Sequence, residues 1–381
     1  MPEKQKLPSE KRYHRYQLIL SITEFVLGLA FLLVIILTGF STGLENWIRG
    51  FAANDYLVLI IFVIALGIME FVLLFPLSFT SGYILEHRFN LSNQSFGAWV
   101  WEKFKGLLIA GPLGLILLII FYTLLRKFPV SWWFIMGTVM LLFSVVLARL
   151  APILIFPLFY KFEKLKDDEL AEKVSSLCEK VGMKLEGVYQ FNLSKSTKKG
   201  NAAFTGLGKS RRVILGDTLL NNLKAEEILG VLAHELGHFK LKHIWKSMGL
   251  GVITTYLGLF LVSVIYNSTY PSIGEHPWTI AALPLMALIL TLYEFITSPM
   301  MNAYSRSNER AADDFAVNLI GEPKSFISGL NKLSDQNLAD RTPNPIVEFL
   351  FYSHPSIEKR VARLKMEETR NYNIPYTKKA V

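Results

Sequence analysis

The apolar positions of this chain gather in long runs, where a soluble protein would space them along one helix face or alternate them along a strand. A helix crossing the hydrocarbon core of a bilayer needs ~20 mostly apolar residues. Six segments meet that length: Gln17 to Phe40, Tyr56 to Phe79, Gly106 to Leu125, Ser131 to Tyr160, Ile244 to Tyr266 and Trp278 to Met300. The fourth carries Pro152 and Pro157, which predict a tilt, a kink or an end near Pro157. Two long polar stretches remain, Lys161 to His243 and Asn302 to Val381. In the first, Asp167 to Val181 has helical periodicity and Gly187 to Leu193 alternates like a strand. Lys195 to Gly200 is a polar turn. Asn201 to Thr205 and Arg212 to Leu215 read as short strands, joined through Gly206-Leu207-Gly208. Lys224 to Ile244 reads as a helix that runs on into the fifth span, with Asp217 or Asn222 as candidate caps. The second stretch begins as a helix leaving the sixth span. The expected fold is therefore mainly α and polytopic, about six transmembrane helices with an α+β extramembrane domain and a small β-sheet. Its divisions are 1–160 with four spans, 161–243, 244–300 with spans five and six, and 301–381.

Composition supports a membrane protein: 51% of residues are hydrophobic and only 19% are charged. The net charge of +9 would suit a nucleic-acid binder, but its lysines and arginines sit beside the apolar runs and in the polar stretches, so no nucleic-acid partner is expected. Cys178 is the single cysteine, which excludes an internal disulfide and a cysteine-based metal site. The apolar run after Lys11, Arg12 and Arg15 is too long for the core of a cleaved signal peptide and reads as a retained anchor. Basic residues crowd the N-terminal tail (Lys4, Lys6, Lys11, Arg12, Arg15), the second loop (Arg88, Lys103, Lys105) and both polar stretches. The first loop holds Arg49 alone, the short third holds Arg126 and Lys127, and the fifth, Asn267 to Pro277, holds none. The positive-inside rule then puts both termini and both polar stretches on the cytoplasmic side, where the two stretches can form one domain.

The sequence His234-Glu235-Leu236-Gly237-His238 places two imidazoles one helical turn apart on one face, the spacing that holds one Zn²⁺. Glu235, next to the first ligand, is placed to act as general base toward a water that the metal activates. Gly237 permits close approach of another backbone. A catalytic zinc usually takes three protein ligands and keeps one position open. The third is expected from Asn308-Glu309-Arg310-Ala311-Ala312-Asp313: Glu309 as ligand, and Asp313, one turn on, as hydrogen-bond partner of a ligand histidine. His243 lies off the ligand face, and a helix-end or interfacial role is expected for it.

The stretch from Val231 to His243, followed by Asn308 to Asp313, resembles the integral-membrane CAAX prenyl protease type 1 family. Ser81 to Phe89, Pro152 to Phe162, Asn201 to Gly206, and Ser353-His354-Pro355 with Arg360 are similar to segments of that family. The resemblance implies a membrane zinc metalloendopeptidase, one Zn²⁺ per chain, with a zincin-like catalytic domain and a peptide or protein substrate whose end can carry a lipid. It also implies that Asn201 and Ala202 lie on an edge strand pairing with the substrate backbone, and that His354 and Arg360 lie near the substrate carbonyl. It implies a chamber among the membrane helices, with the metal site at its cytoplasmic end. Glu24, Glu70, Arg149 and Glu294, all inside predicted spans, are expected to line that chamber or its portal, or to pair with one another. The chain has six spans where eukaryotic members have seven, and lacks their longer inserts. That implies a compact prokaryotic member in a bacterial inner membrane, or in the endoplasmic reticulum if the source is eukaryotic. Lys378-Lys379 resembles a retrieval signal, weak in a basic tail. Alternatives are a membrane-protein quality-control protease without prenyl specificity, and a non-enzymatic transporter or scaffold.

Overall fold

The computed structural model describes residues 8–206 and 211–371, with side chains as far as Met366. The tail lysines Lys4 and Lys6, the Leu207-Gly208 part of the strand joint and the Lys378-Lys379 pair lie outside the described residues.

Six helical rods are long and apolar enough to cross a membrane, and each predicted span falls on one of them. The rods begin with α1 (Ser9–Leu37). A ten-residue amphipathic helix that the hydropathy pattern does not announce, α2 (Phe40–Arg49), follows it and buries Ser41, Glu45 and Ile48. α3 (Asp55–Phe79) continues through a π turn at Thr80–Ile84 to Arg88. α4 spans Phe96–Lys127. α5 (Trp132–Leu150) passes through a second π turn, Ala151–Ile155, and ends at Phe159. The expected kink is thus a π turn at Pro152, where the ring removes a helical hydrogen bond.

The first polar stretch folds as β1 (Phe162–Lys164), α6 (Asp168–Lys180), β2 (Gly187–Phe191), β3 (Ala202–Thr205), β4 (Arg212–Gly216), the short α7 (Asp217–Leu220) and α8 (Ala225–Lys240). The sheet order is β1-β2-β4-β3, with β2 and β4 parallel and the outer pairs antiparallel. β3 is therefore an edge strand, and it packs against α8. Neither candidate cap starts α8. Asp217 instead accepts from the backbone of Ser194 and Thr218, and Asn222 donates to Gln336. The α8 start is held by the Glu227 carboxylate, which accepts from the Lys224 N–H at 2.7 Å.

α8 does not run on into the fifth span. The chain turns at Lys242, in the left-handed region at φ 57°, and α9 (His243–Thr269) starts afresh. The sixth span behaves as expected: α10 (Leu283–Ile320) is one helix that leaves the apolar zone and continues through the Asn308–Asp313 motif. α11 (Lys324–Gln336), α12 (Pro345–Phe351) and α13 (Ile357–Asn371) complete the second stretch. One apolar core joins the two stretches, with Val174, Val213, Leu215, Leu232, Ala316 and Phe326 all fully or nearly fully buried. A cavity of about 660 Å³ lies among the membrane helices, walled largely by apolar side chains such as Phe31, Phe62, Leu118 and Met136. Glu70 and Glu294 line it; Glu24 and Arg149 do not. Among the described residues no ion pair links Arg149 to a carboxylate.

Candidate active site

α8 turns one face to the core through Ile228, Leu232, Ala233 and Leu236, and this orientation carries His234 and His238 toward α10. The two helices approach closely. A Cβ on Gly237 would lie 3.0 Å from both the Cα and the carbonyl oxygen of Ala312, so only glycine fits without separating the backbones. Ala312 is itself small and fully buried. That contact brings Glu309 within reach: ligand atoms of His234, His238 and Glu309 all lie within 4.8 Å of one another. Glu309 is 4% exposed, although it stands on a helix where charged residues usually face water.

The donor set fits a divalent cation. His234 Nδ1 stands 2.8 Å from Asp313 Oδ1, so this nitrogen carries the hydrogen and Nε2 presents a lone pair. That Nε2 is 3.2 Å from His238 Nε2. Glu309 approaches both imidazoles, at 3.3 Å from His234 and 3.2 Å from His238, yet its buried Oε2 satisfies no hydrogen bond. Two converging ring nitrogens and an unpartnered buried carboxylate oxygen are poorly served by hydrogen bonding alone; a metal ion satisfies all three. Burial opposes a positive charge on His234, but the Asp313 hydrogen bond and the nearby Glu309 carboxylate outweigh this and raise its pKa to about 9, so positive charge is favoured here, either as a second proton on Nε2 or as a cation that takes its place. The carboxylates are thus arranged to keep a cation at this point.

Of the remaining predicted residues, Glu235, His354 and Arg360 lie around the three candidate ligands. Glu235 is half-buried beside His234. His354 is largely exposed, with Nε2 3.3 Å from Glu309 Oε1. Arg360 was expected beside the substrate carbonyl, but it sits behind the ligand set. Its Nε and Nη2 donate to the two oxygens of Asp313 at 2.9 and 2.6 Å, and Nη1 is 3.9 Å from Glu309 Oε2. Burial disfavours its charge, and Asp313 more than offsets this, raising the pKa above the ordinary guanidinium range. Asn201 is exposed just before β3, where its carbonyl accepts from the Gly216 N–H. Ala202 is the first residue of β3.

His243 stands at a helix end as expected, the first residue of α9, and also makes a contact that its spacing does not announce. His243 Nδ1 lies 3.0 Å from His238 Nδ1, and His243 is buried. On a continuous helix, five residues would turn it away from His238; the break at Lys242 turns it back. Glu227 was missed: it accepts from Ser328 and Lys332 as well as from Lys224, tying α8 to α11.

Known proteins resemble this chain over most of its length. Residues 164–368 match peptidase family M48. Residues 3–161 match a family described as the CAAX prenyl protease N-terminal region, five membrane helices. CAAX prenyl protease 1 of Saccharomyces cerevisiae is 30% identical over 319 residues, covering 78% of this chain and 70% of the yeast protein. The uncharacterized metalloprotease YhfN of Bacillus subtilis is 28% identical over 342 residues, covering 88% of this chain and 80% of its own. Among solved structures, the crystal structure of S. mikatae Ste24p superposes with a TM-score of 0.84 at 28% identity, covering 93% of this chain and 88% of that one.

Proposed function

This chain belongs to peptidase family M48, among the CAAX prenyl protease 1 homologues, and from that premise we propose that it is a zinc endopeptidase taking peptides with a lipidated C-terminal end. That it is a multi-pass membrane metalloprotease follows from the family and the six long apolar helices. Zinc is the metal that a two-histidine, one-carboxylate set favours in hydrolytic sites. A zinc ion held by His234, His238 and Glu309 would supply Lewis acidity, acidifying water and polarising a peptide carbonyl.

The chain's own residues do the rest. Glu235 accepts the proton of the attacking water and returns it to the leaving amine nitrogen. His354, on the exposed side of Glu309, donates to the carbonyl oxygen as negative charge builds there. Asp313 fixes the tautomer of His234, and Arg360 neutralises Asp313 in a site too buried for an unpaired carboxylate. Asn201 and Ala202 offer the edge of β3 to an extended substrate. Membrane lipid surrounds the spans, and the site faces the cytoplasm in this reading.

The observation that carries the proposal is the convergence of His234, His238 and Glu309 from two separate polar stretches. Glu235→Gln is expected to lower kcat/KM by about 100-fold or more while retaining one zinc per chain. The assay is mass spectrometry of products from a prenylated CAAX peptide and its unlipidated twin. Equal turnover by wild type and Glu235→Gln would remove the mechanism. Equal cleavage of the two peptides would favour the quality-control reading.

A further inference from the structure

The stretch Ser81 to Phe89 has no part in the chemistry above, yet it ends in a dense polar knot. Glu86, near the end of the second span, pairs with Lys199 Nζ at 3.0 Å. It also accepts from the hydroxyl of Tyr13, in the first turns of α1. Lys199 Nζ donates to that hydroxyl at 3.1 Å. His87 spends both ring nitrogens on carbonyls, Tyr83 at 2.7 Å and Gln94 at 2.8 Å, which pins the loop leaving the span. That loop lies along the chain leading into β3. Thr197 forms a β-bridge with Ser92; the Lys198 N–H donates to Leu91 at 2.8 Å, and Asn93 donates to Ser196 at 3.1 Å. From the other side, Gln336 donates to the Lys198 carbonyl at 2.8 Å, and the Gly200 N–H donates to Asn337 at 2.9 Å.

Three parts of the chain thus grip residues 197–200, the segment that delivers Asn201 and Ala202. Part of the grip comes from the ends of two membrane helices, through Tyr13 of α1 and Glu86 at the end of the second span, and the rest from the loop after that span and from Gln336 and Asn337. β3 has a sheet neighbour on one side only, so its sheet contacts alone leave its placement relative to the bilayer undetermined. We propose that the Glu86–Lys199 pair, backed by Tyr13, is a positioning device that fixes the β3 edge at a set height above the membrane. It thereby sets the affinity for a membrane-held substrate and the bond that is cut. This inference rests on the reading of β3 as the substrate edge. The side chains of Lys199 and Glu86 are 34% and 15% exposed; a partly exposed pair adds little to global stability, and Lys199→Arg and an exchange of the two charges keep both charges partnered. Loss of the pair should therefore appear in substrate handling and not in folding.

The test uses the full chain in liposomes with a farnesylated CAAX peptide. Lys199→Met and Glu86→Gln should each raise KM about tenfold, as expected for a displaced substrate seat. They should leave kcat within about twofold and metal content unchanged, and yield products cut at neighbouring bonds. Lys199→Arg, and the exchange of Glu86→Lys with Lys199→Glu, should restore KM and the single product. Wild-type KM and products in Lys199→Met would overturn the inference, as would a fall in kcat alone. Should Lys199→Met lose its metal, a KM for Lys199→Arg far from wild type would also overturn it. A wild-type protein that cleaves neither the farnesylated peptide nor its unlipidated twin would instead overturn the proposed function.

Discussion

His243 is a histidine with no assigned task in the HExxH pattern, yet it contacts a proposed ligand. Its ring meets the far nitrogen of His238 at 3.0 Å, the place where metal-binding histidines usually find an orienting partner. Removing such a partner typically weakens metal binding by 10–100-fold. We expect His243→Ala to lower zinc affinity by about that factor, read by competition with a chelator, while Glu275→Ala, beyond the far end of α9 from His243, leaves it unchanged. Unaltered affinity in His243→Ala would assign it a packing role. That His234 and His238 would share one helix face was legible because a four-residue spacing puts two side chains one turn apart. His243 was not, because its position depends on Lys242 adopting φ 57°, a conformation that lysine seldom takes. Arg360 was legible as a site residue but not in its orientation, which the buried charge of Asp313 determines.

The contact between α8 and α10 decides whether the site exists. Gly237 against Ala312 is its tightest point, and Gly230, where a Cβ would stand 2.8 Å from the Cα of Phe326, plays the same part toward α11. A methyl at Gly237 must push two backbones apart. Gly237→Ala is expected to cost about 1–3 kcal/mol of stability and to weaken zinc binding, measured by thermal unfolding with and without added zinc. A variant as stable as wild type would show that the helices slide without penalty. Of the elements, the spans were readable since hydropathy over twenty residues leaves little choice. α2 was not: ten residues that bury only Ser41, Glu45 and Ile48 give too short a pattern, and Glu45 is held by the Ala281 N–H of a distant segment. β1, three residues long, exists through its pairing with β2 and has no local signal of its own.

Across the whole molecule, the two polar stretches share one core, as their placement on one side of the membrane requires. The cytoplasmic placement proposed for that side rests on charge counts. In a Cys178→Ser background, Glu275→Cys should react with a membrane-impermeant maleimide in intact cells, and Lys166→Cys should react only in inverted vesicles. The reverse pattern would invert the topology. The shared core has a consequence for biosynthesis. His234 and His238 leave the ribosome before the fifth span, whereas Glu309 follows the sixth. A half-made chain holds two imidazoles and a base but no third ligand. Translation at 5–20 residues per second leaves an interval of seconds in which the nascent chain carries its catalytic motif without a complete metal site. The proposed three-ligand site is thus complete only once both spans have been made, which couples assembly of the metal site to membrane insertion.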